Sequence, residues 1–145
     1  MDITVNVLDL EGVEGALRDA GPKLAKRALR AGLNAGADTM VAAVKALAPV
    51  LKEGTPQREP GELRDSIHSK IKLSAKEEKG YALIGPEYKK EDGSQSPGLY
   101  GLFVEFGSVH GDKQPFMRPG FDESNRAALD AFTAVMRQGV DSLKS

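Results

Sequence analysis

Residues 100–121 read YGLFVEFGSVHGDKQPFMRPGF. The stretch holds Phe103, Phe106, Phe116 and Phe121, four of the five phenylalanines. In its first half Tyr100, Leu102, Val104 and Phe106 alternate with Gly101, Phe103 and Glu105, a period of two that predicts a strand. Gly107 and Gly111 then stop the extended run. Pro115 and Pro119 fix φ at two points on the way into a helical pattern, so the segment after Gly107 reads as clamped. Read this way, the stretch joins a sheet to the last helix.

Working outward toward the C-terminus, Phe121, Leu129, Phe132, Val135 or Met136, and Val140 mark one face of an amphipathic helix of about 20 residues. Toward the N-terminus, residues 87–98 (EYKKEDGSQSPG) are polar and without period, which predicts a mobile loop. Before it, Ile67, Ser69, Ile71 and Leu73 alternate with His68, Lys70 and Lys72, and Tyr81 to Gly85 follows after a turn. The spacing predicts a β-hairpin over 67–85, entered by a turn of helix at 62–66. Residues 49–61, with three prolines, predict a second loop.

From Pro22 to Ala48 the pattern is helical without a break, which gives a rod about 40 Å long. Gly32 and Gly36 share one face of it and predict close packing against a neighbour. A short helix is expected over 10–19 and a strand over 2–8, where Ile3, Val5 and Val7 share a face. The expected fold is therefore α+β: one domain over 1–145, with a small, mainly antiparallel sheet of about four strands. The long N-terminal helix and the C-terminal helix are expected to pack on that sheet.

Composition excludes several function classes. With 20 basic and 21 acidic side chains the net charge is −1, too weak a field for a general nucleic-acid binder. There is no cysteine, hence no thiolate chemistry, and two histidines cannot make a three-histidine zinc site. No apolar run approaches 18 residues, so neither a membrane span nor a signal peptide is expected, and the compartment is a cytoplasm or a particle assembled in one. No phosphate-binding glycine loop, HExxH or nucleophile elbow occurs. His110, Asp112 and Glu105 lie close in sequence but lack the spacing that fixes metal ligands. Ser66 and His68 lack an acid partner. No enzyme activity, metal or cofactor is expected.

Two charged features remain. Glu105 sits between Phe103 and Phe106. Either it is buried and needs a partner, with Arg118 the nearest candidate, or it is an exposed edge glutamate. Lys23, Lys26, Arg27 and Arg30 crowd the start of the long helix, the unfavourable end of its dipole for cations. They either offset the acidic residues Asp2, Asp9, Glu11, Glu14 and Asp19 within one subunit or meet acid across a subunit interface. A small nucleic-acid-binding or toxin–antitoxin-type module using the same cluster is the competing reading.

Three motifs together carry a resemblance: Gly61, Leu63, Ser66 and Ile67; then Tyr100, Phe103, Val104, Glu105, Phe106 and Gly107; then Pro115, Phe116, Met117, Arg118 and Pro119. The set resembles the tail-completion, or head–tail joining, proteins of tailed bacteriophages and prophages, and the likeness covers nearly the whole chain. It implies a non-enzymatic virion protein, assembled in the host cytoplasm, that forms a ring of usually six copies at the neck. Its implied partners are other copies of itself, the head connector or stopper, and the tail terminator or tube, with DNA passing through. The resemblance marks the first motif as the entry to the hairpin, the second as a central strand and its exit, and the third as a clamp before the last helix. Gly120 stands where the family commonly has alanine, which predicts a less regular helix start. Ser108 stands where threonine is common, and the 87–98 insertion is rather long.

Overall fold

The computed structural model describes residues 13–54, 58–74, 79–87, 96–109 and 111–143. In chain order the elements are α1 (Val13–Ala20), α2 (Pro22–Leu47), α3 (Glu62–Ser66), β1 (His68–Ser74), β2 (Lys79–Gly85), α4 (Pro97–Phe106) and α5 (Met117–Leu143). The expected strand over 2–8 lies outside the described residues.

The two long helices form the frame. Pro22 opens α2 in its first turn, where a missing N–H costs nothing. The chain turns extended at Ala48, just before Pro49. Helix α5 runs 27 residues and packs along α2 over most of its length. Small side chains permit the close approach. A Cβ on Gly36 would lie 3.1 Å from the Ala128 carbonyl oxygen, and one on Gly32 would lie 3.0 Å from Met136 and Phe132. The tightest point is Gly120. A Cβ there would sit 2.7 Å from Val44 Cγ2 and 2.9 Å from Val44 Cα. Gly120 therefore marks a helix crossing, and α5 runs through it as one helix, contrary to the irregular start expected from that glycine. Gly120→Ala is expected to cost about 1–3 kcal/mol, read as a lowered thermal midpoint, because the clash is partly with backbone.

β1 and β2 pair antiparallel, with Lys70 opposite Leu83 and Lys72 opposite Tyr81. Ile71, Leu73, Ala82 and Ile84 are half-buried, while Lys70, Lys72, Tyr81 and Leu83 are exposed. The hairpin rests on α2. A two-stranded ribbon is marginal alone, and this support is what holds it.

The sheet differs from expectation. Among the described residues it has two strands, not about four. Residues 100–106, expected as its central strand, lie in helix α4. The C-terminal helix packs on α2 and not on a sheet, so the layers are helix on helix with a hairpin alongside. The physical reason lies in α4's composition. It is apolar on nearly all sides, so every second residue is apolar whichever period is tried. What decides for helix is the start: Ser96 caps it, its Oγ accepting the Leu99 N–H at 3.2 Å, and Pro97 occupies the first turn.

The core gathers where α2 ends and α5 begins. Val44, Ala48, Leu63, Ile67, Phe116 and Phe121 are all buried there, with Phe116 and Val44 fully enclosed. Gly61, at φ +82°, turns the chain into α3 in a conformation a side chain would strain, and this aims Leu63 and Ile67 inward.

Candidate functional site

The residues of greatest interest converge on α4 and the start of α5. Glu105 is 8 % exposed in the last turn of α4. Its own helix disfavours a carboxylate there, since that end of the dipole is negative. The neighbouring helix reverses the balance. Glu105 Oε2 accepts the backbone N–H groups of Phe116 at 2.7 Å and Met117 at 2.9 Å, and Oε1 accepts that of Arg118 at 3.1 Å. A helix start leaves its first four N–H groups without intrahelical partners. Pro119 has no N–H to satisfy, and Gly120 makes the first backbone bond, to the Phe116 carbonyl at 3.1 Å. One carboxylate therefore satisfies every remaining donor of the first turn and places negative charge at the positive end of α5.

The connection between the helices is tied back along its length. Gly107, at φ +84°, ends α4, and its N–H reaches the Phe103 carbonyl at 2.8 Å. Ser108 and Gly111 bond each other's backbones, and Gln114 N–H donates to the Val104 carbonyl at 2.6 Å. The sequence offers Arg118 as the nearest candidate partner if Glu105 is buried. The contact is to the Arg118 backbone; no ion pair between the two side chains occurs among the described residues, and the Arg118 side chain faces solvent. The exposed edge-glutamate alternative is excluded by burial.

The other face of α4 is unusual for a surface. Leu102 is 45 % exposed, Phe103 50 % and Phe106 72 %, and Val109 in the following turn is 95 % exposed. Beside them an open groove of about 1170 Å³ runs between β2, α4 and α5, with Leu33, Tyr81, Leu83, Leu129 and Phe132 among its walls. His68 and Lys70 lie at its rim.

The remaining sequence-predicted residues separate by role. Leu63, Ile67 and Phe116 meet in one core cluster, with Tyr100, Val104 and Met117 packed against it. The Arg58 guanidinium lies over the Tyr100 ring at 4.2 Å. Ser66 Oγ donates to the Leu63 carbonyl at 2.8 Å, and His68 Nδ1 donates to the Ser66 carbonyl at 2.9 Å, so the two side chains are spent on backbone and form no catalytic pair. The Arg64 guanidinium beside Asp65 holds that exposed carboxyl below its usual value. Lys23, Lys26, Arg27 and Arg30 are all exposed and share one face of α2, at the far end from the core. Most of the acidic residues proposed to offset them, Asp2, Asp9 and Glu11, lie outside the described residues. So does His110 of the candidate metal group. Among the described residues no cluster of three or more His, Cys, Asp or Glu could hold a metal ion, and no helix is long and apolar enough to cross a membrane.

The sequence missed the outward direction of Phe103 and Phe106. A helical reading of 97–106 would have found it, because Leu99, Leu102, Phe103 and Phe106 then share a face opposite Gly101 and Glu105.

A buried carboxylate bound to backbone N–H groups thus lies beside large apolar side chains turned outward, a patch of the kind that marks an interaction surface. The chain belongs to the family described as "Bacteriophage HK97-gp10, putative tail-component", which it matches over residues 13–107. The matched span takes in the first two motifs and ends at Gly107, before Pro115–Pro119. No curated protein and no solved structure matches the chain. Family membership makes it a phage tail component, structural and not enzymatic.

Proposed function

We propose that the chain is a ring subunit at the head–tail junction, joining the head connector to the tail terminator or tube around a channel for DNA. The observation that carries this reading is the apolar outer face of α4 in a member of a tail-component family. A structural subunit that keeps Phe106 in water when alone gains by covering it on assembly. The near-neutral charge fits a channel, because a lumen without strong positive potential does not hold the duplex by releasing its counterions. Six copies, implied by the resemblance to neck proteins, is the stoichiometry adopted.

The test is removal of the chain from the phage that encodes it. Filled heads and complete tails that fail to join, and that join when the purified chain is added, are the expected outcome. Normal joined particles without the chain reject the reading.

A second reading, a small nucleic-acid-binding or toxin–antitoxin-type module, draws on the exposed face of Lys23, Lys26, Arg27 and Arg30. It requires duplex binding whose affinity falls steeply with salt, with a log–log slope of roughly −0.9 per phosphate contacted. Absence of binding at low salt removes it.

A further inference from the structure

We infer that the groove beside β2 is the seat of the chain's own residues 2–8, which run antiparallel along the free edge of β2 with Ile3, Val5 and Val7 turned inward. The inference concerns the isolated chain and is independent of the ring reading. Four observations carry it.

The first is the edge. Among the described residues β2 pairs with β1 on one side only. Residues 80–85 of β2 all line the groove, whereas β1 contributes His68 and Lys70. The unpaired side of β2 therefore borders the groove. Among the described residues no backbone bond outside the hairpin ladder reaches Lys79–Gly85. Such an edge offers a row of N–H and C=O groups to an extended segment.

The second is pattern. Residues 2–8, DITVNVL, alternate polar and apolar up to Val7, and their seven residues match the seven of β2. Set antiparallel, with Asp2 opposite Gly85 and Leu8 opposite Lys79, the two strands agree in parity. Ile3, Val5 and Val7 fall opposite Ile84, Ala82 and Gly80, half-buried positions of β2. Thr4 and Asn6 fall opposite Leu83 and Tyr81, which are exposed. A slip of one residue would turn Thr4 and Asn6 inward. The apolar floor that receives the inner side chains is Leu29 and Leu33 of α2 with Leu129 and Phe132 of α5.

The third is reach. A Cβ on Gly80 would lie 2.8 Å from Leu33 Cδ1 and 3.1 Å from Leu29 Cδ2, so β2 starts beside the first half of α2. It ends beside the core at the other end of α2, where Ile84 packs. Helix α1 is joined to α2 by Gly21 alone and is only about 12 Å long, so the chain enters Val13 near the start of α2. That entry fixes the direction: Leu8 meets the start of β2 and Asp2 its end. Residues 1–12 extend to about 40 Å, against roughly 23 Å for β2, and the remainder bridges to α1.

The fourth is charge. Residues 1–12 carry Asp2, Asp9 and Glu11 and no basic side chain. The hairpin span 68–85 carries four lysines against two glutamates. Lys70, Lys72 and Lys79 among these are exposed. Glu105, the acidic residue among the described groove walls, is bound to three backbone N–H groups. The segment therefore meets a surface of opposite sign.

The absence of cysteine gives a direct test. The full-length chain carrying Thr4→Cys and Leu83→Cys, oxidised at low concentration, is expected to close a disulfide within one chain, since directly opposed Cβ atoms lie about 5 Å apart. Thr4→Cys with Lys70→Cys, one strand further away, is expected to stay reduced. Leu83 and Lys70 are exposed, and melting of the reduced variants checks that folding is preserved. In a second measurement Val5→Asp should lower the melting temperature by about 5 °C or more and raise the binding of an apolar dye, whereas Asn6→Asp should do neither. Linkage of position 4 to position 70, linkage only between chains, or no linkage overturns the inference. So does a Val5→Asp protein that melts like the unchanged chain. The ring reading is decided separately, by the joining of heads to tails.

Discussion

Replacing Glu105 with alanine is expected to lower stability by about 3–5 kcal/mol and the melting temperature by roughly 10 °C. Three buried or half-buried N–H groups, those of Phe116, Met117 and Arg118, lose their acceptor at once. Each unsatisfied donor costs about 1–3 kcal/mol, and the charge facing the α5 dipole is lost as well. Fraying of the first turn recovers part of this, which sets the upper end of the range. Glu105→Gln keeps one acceptor oxygen and is expected to cost about half as much. Arg118→Ala preserves the backbone N–H and removes an exposed side chain, so its effect should stay within about 0.5 kcal/mol. The double mutant Glu105→Ala with Arg118→Ala should then be additive. Coupling above about 1 kcal/mol in thermal or urea unfolding would show a side-chain pair that this geometry does not contain.

Phe116→Ala is the second large effect. Its ring is fully enclosed among Val44, Ile67 and Leu63, where α2, α3 and the start of α5 meet. Removing it is expected to cost about 3–5 kcal/mol, from lost burial plus the cavity left behind. Against a typical domain stability of about 5–15 kcal/mol, that is a third or more of the total. Phe116→Leu should cost distinctly less, since most of the volume remains. Neither change removes the Phe116 N–H, so the Glu105 cap persists in both. A Phe116→Ala protein with an unchanged urea midpoint would mean that the cluster collapses around the gap or that Phe116 is not its centre.

These two residues also show how far the sequence could be read. The hairpin and the two long helices follow from periodicities in which polar residues mark the solvent side, and the single turn of α3 from its place after Gly61 with Leu63 as anchor. Helix α4 has no such marker. With Leu99, Tyr100, Leu102, Phe103, Val104 and Phe106 in eight positions, a period of two and a helical period both find apolar residues where they need them. The decisive cue, Ser96 followed by Pro97, lay at the edge of a polar run that read as loop. Once 100–106 is a helix, the expected four-stranded sheet loses its centre, and Phe103 and Phe106 change from sheet faces to an outward helix face.

Glu105 was legible as a residue in need of a partner. The identity of that partner was not, since backbone donors carry no sequence signature until a helix start is located. Pro119 was the available clue. It belongs in a first turn, and the N–H groups just before it are the ones that require an acceptor. Gly120 carries no sequence signal of its contact with Val44, because that contact exists only when α2 and α5 are brought together.

The cap and the exposed apolar face of α4 are coupled by position. Glu105 fixes α4 against α5 from one side of a helix whose other side carries Phe106. Holding that helix rigid presents the apolar face in a single orientation and reduces the ordering cost of association. The large structural effect of Glu105→Ala should therefore also appear as weakened assembly, whereas Phe106→Asp should weaken assembly while leaving the melting temperature almost unchanged.

The most direct measurement of the central claim is the position of the chain in the assembled particle. Particles carrying a tagged copy, labelled and imaged by electron microscopy, should show the label as a closed ring at the junction of head and tail. Label at the tail tip, along the tube, or absent from complete particles would contradict it.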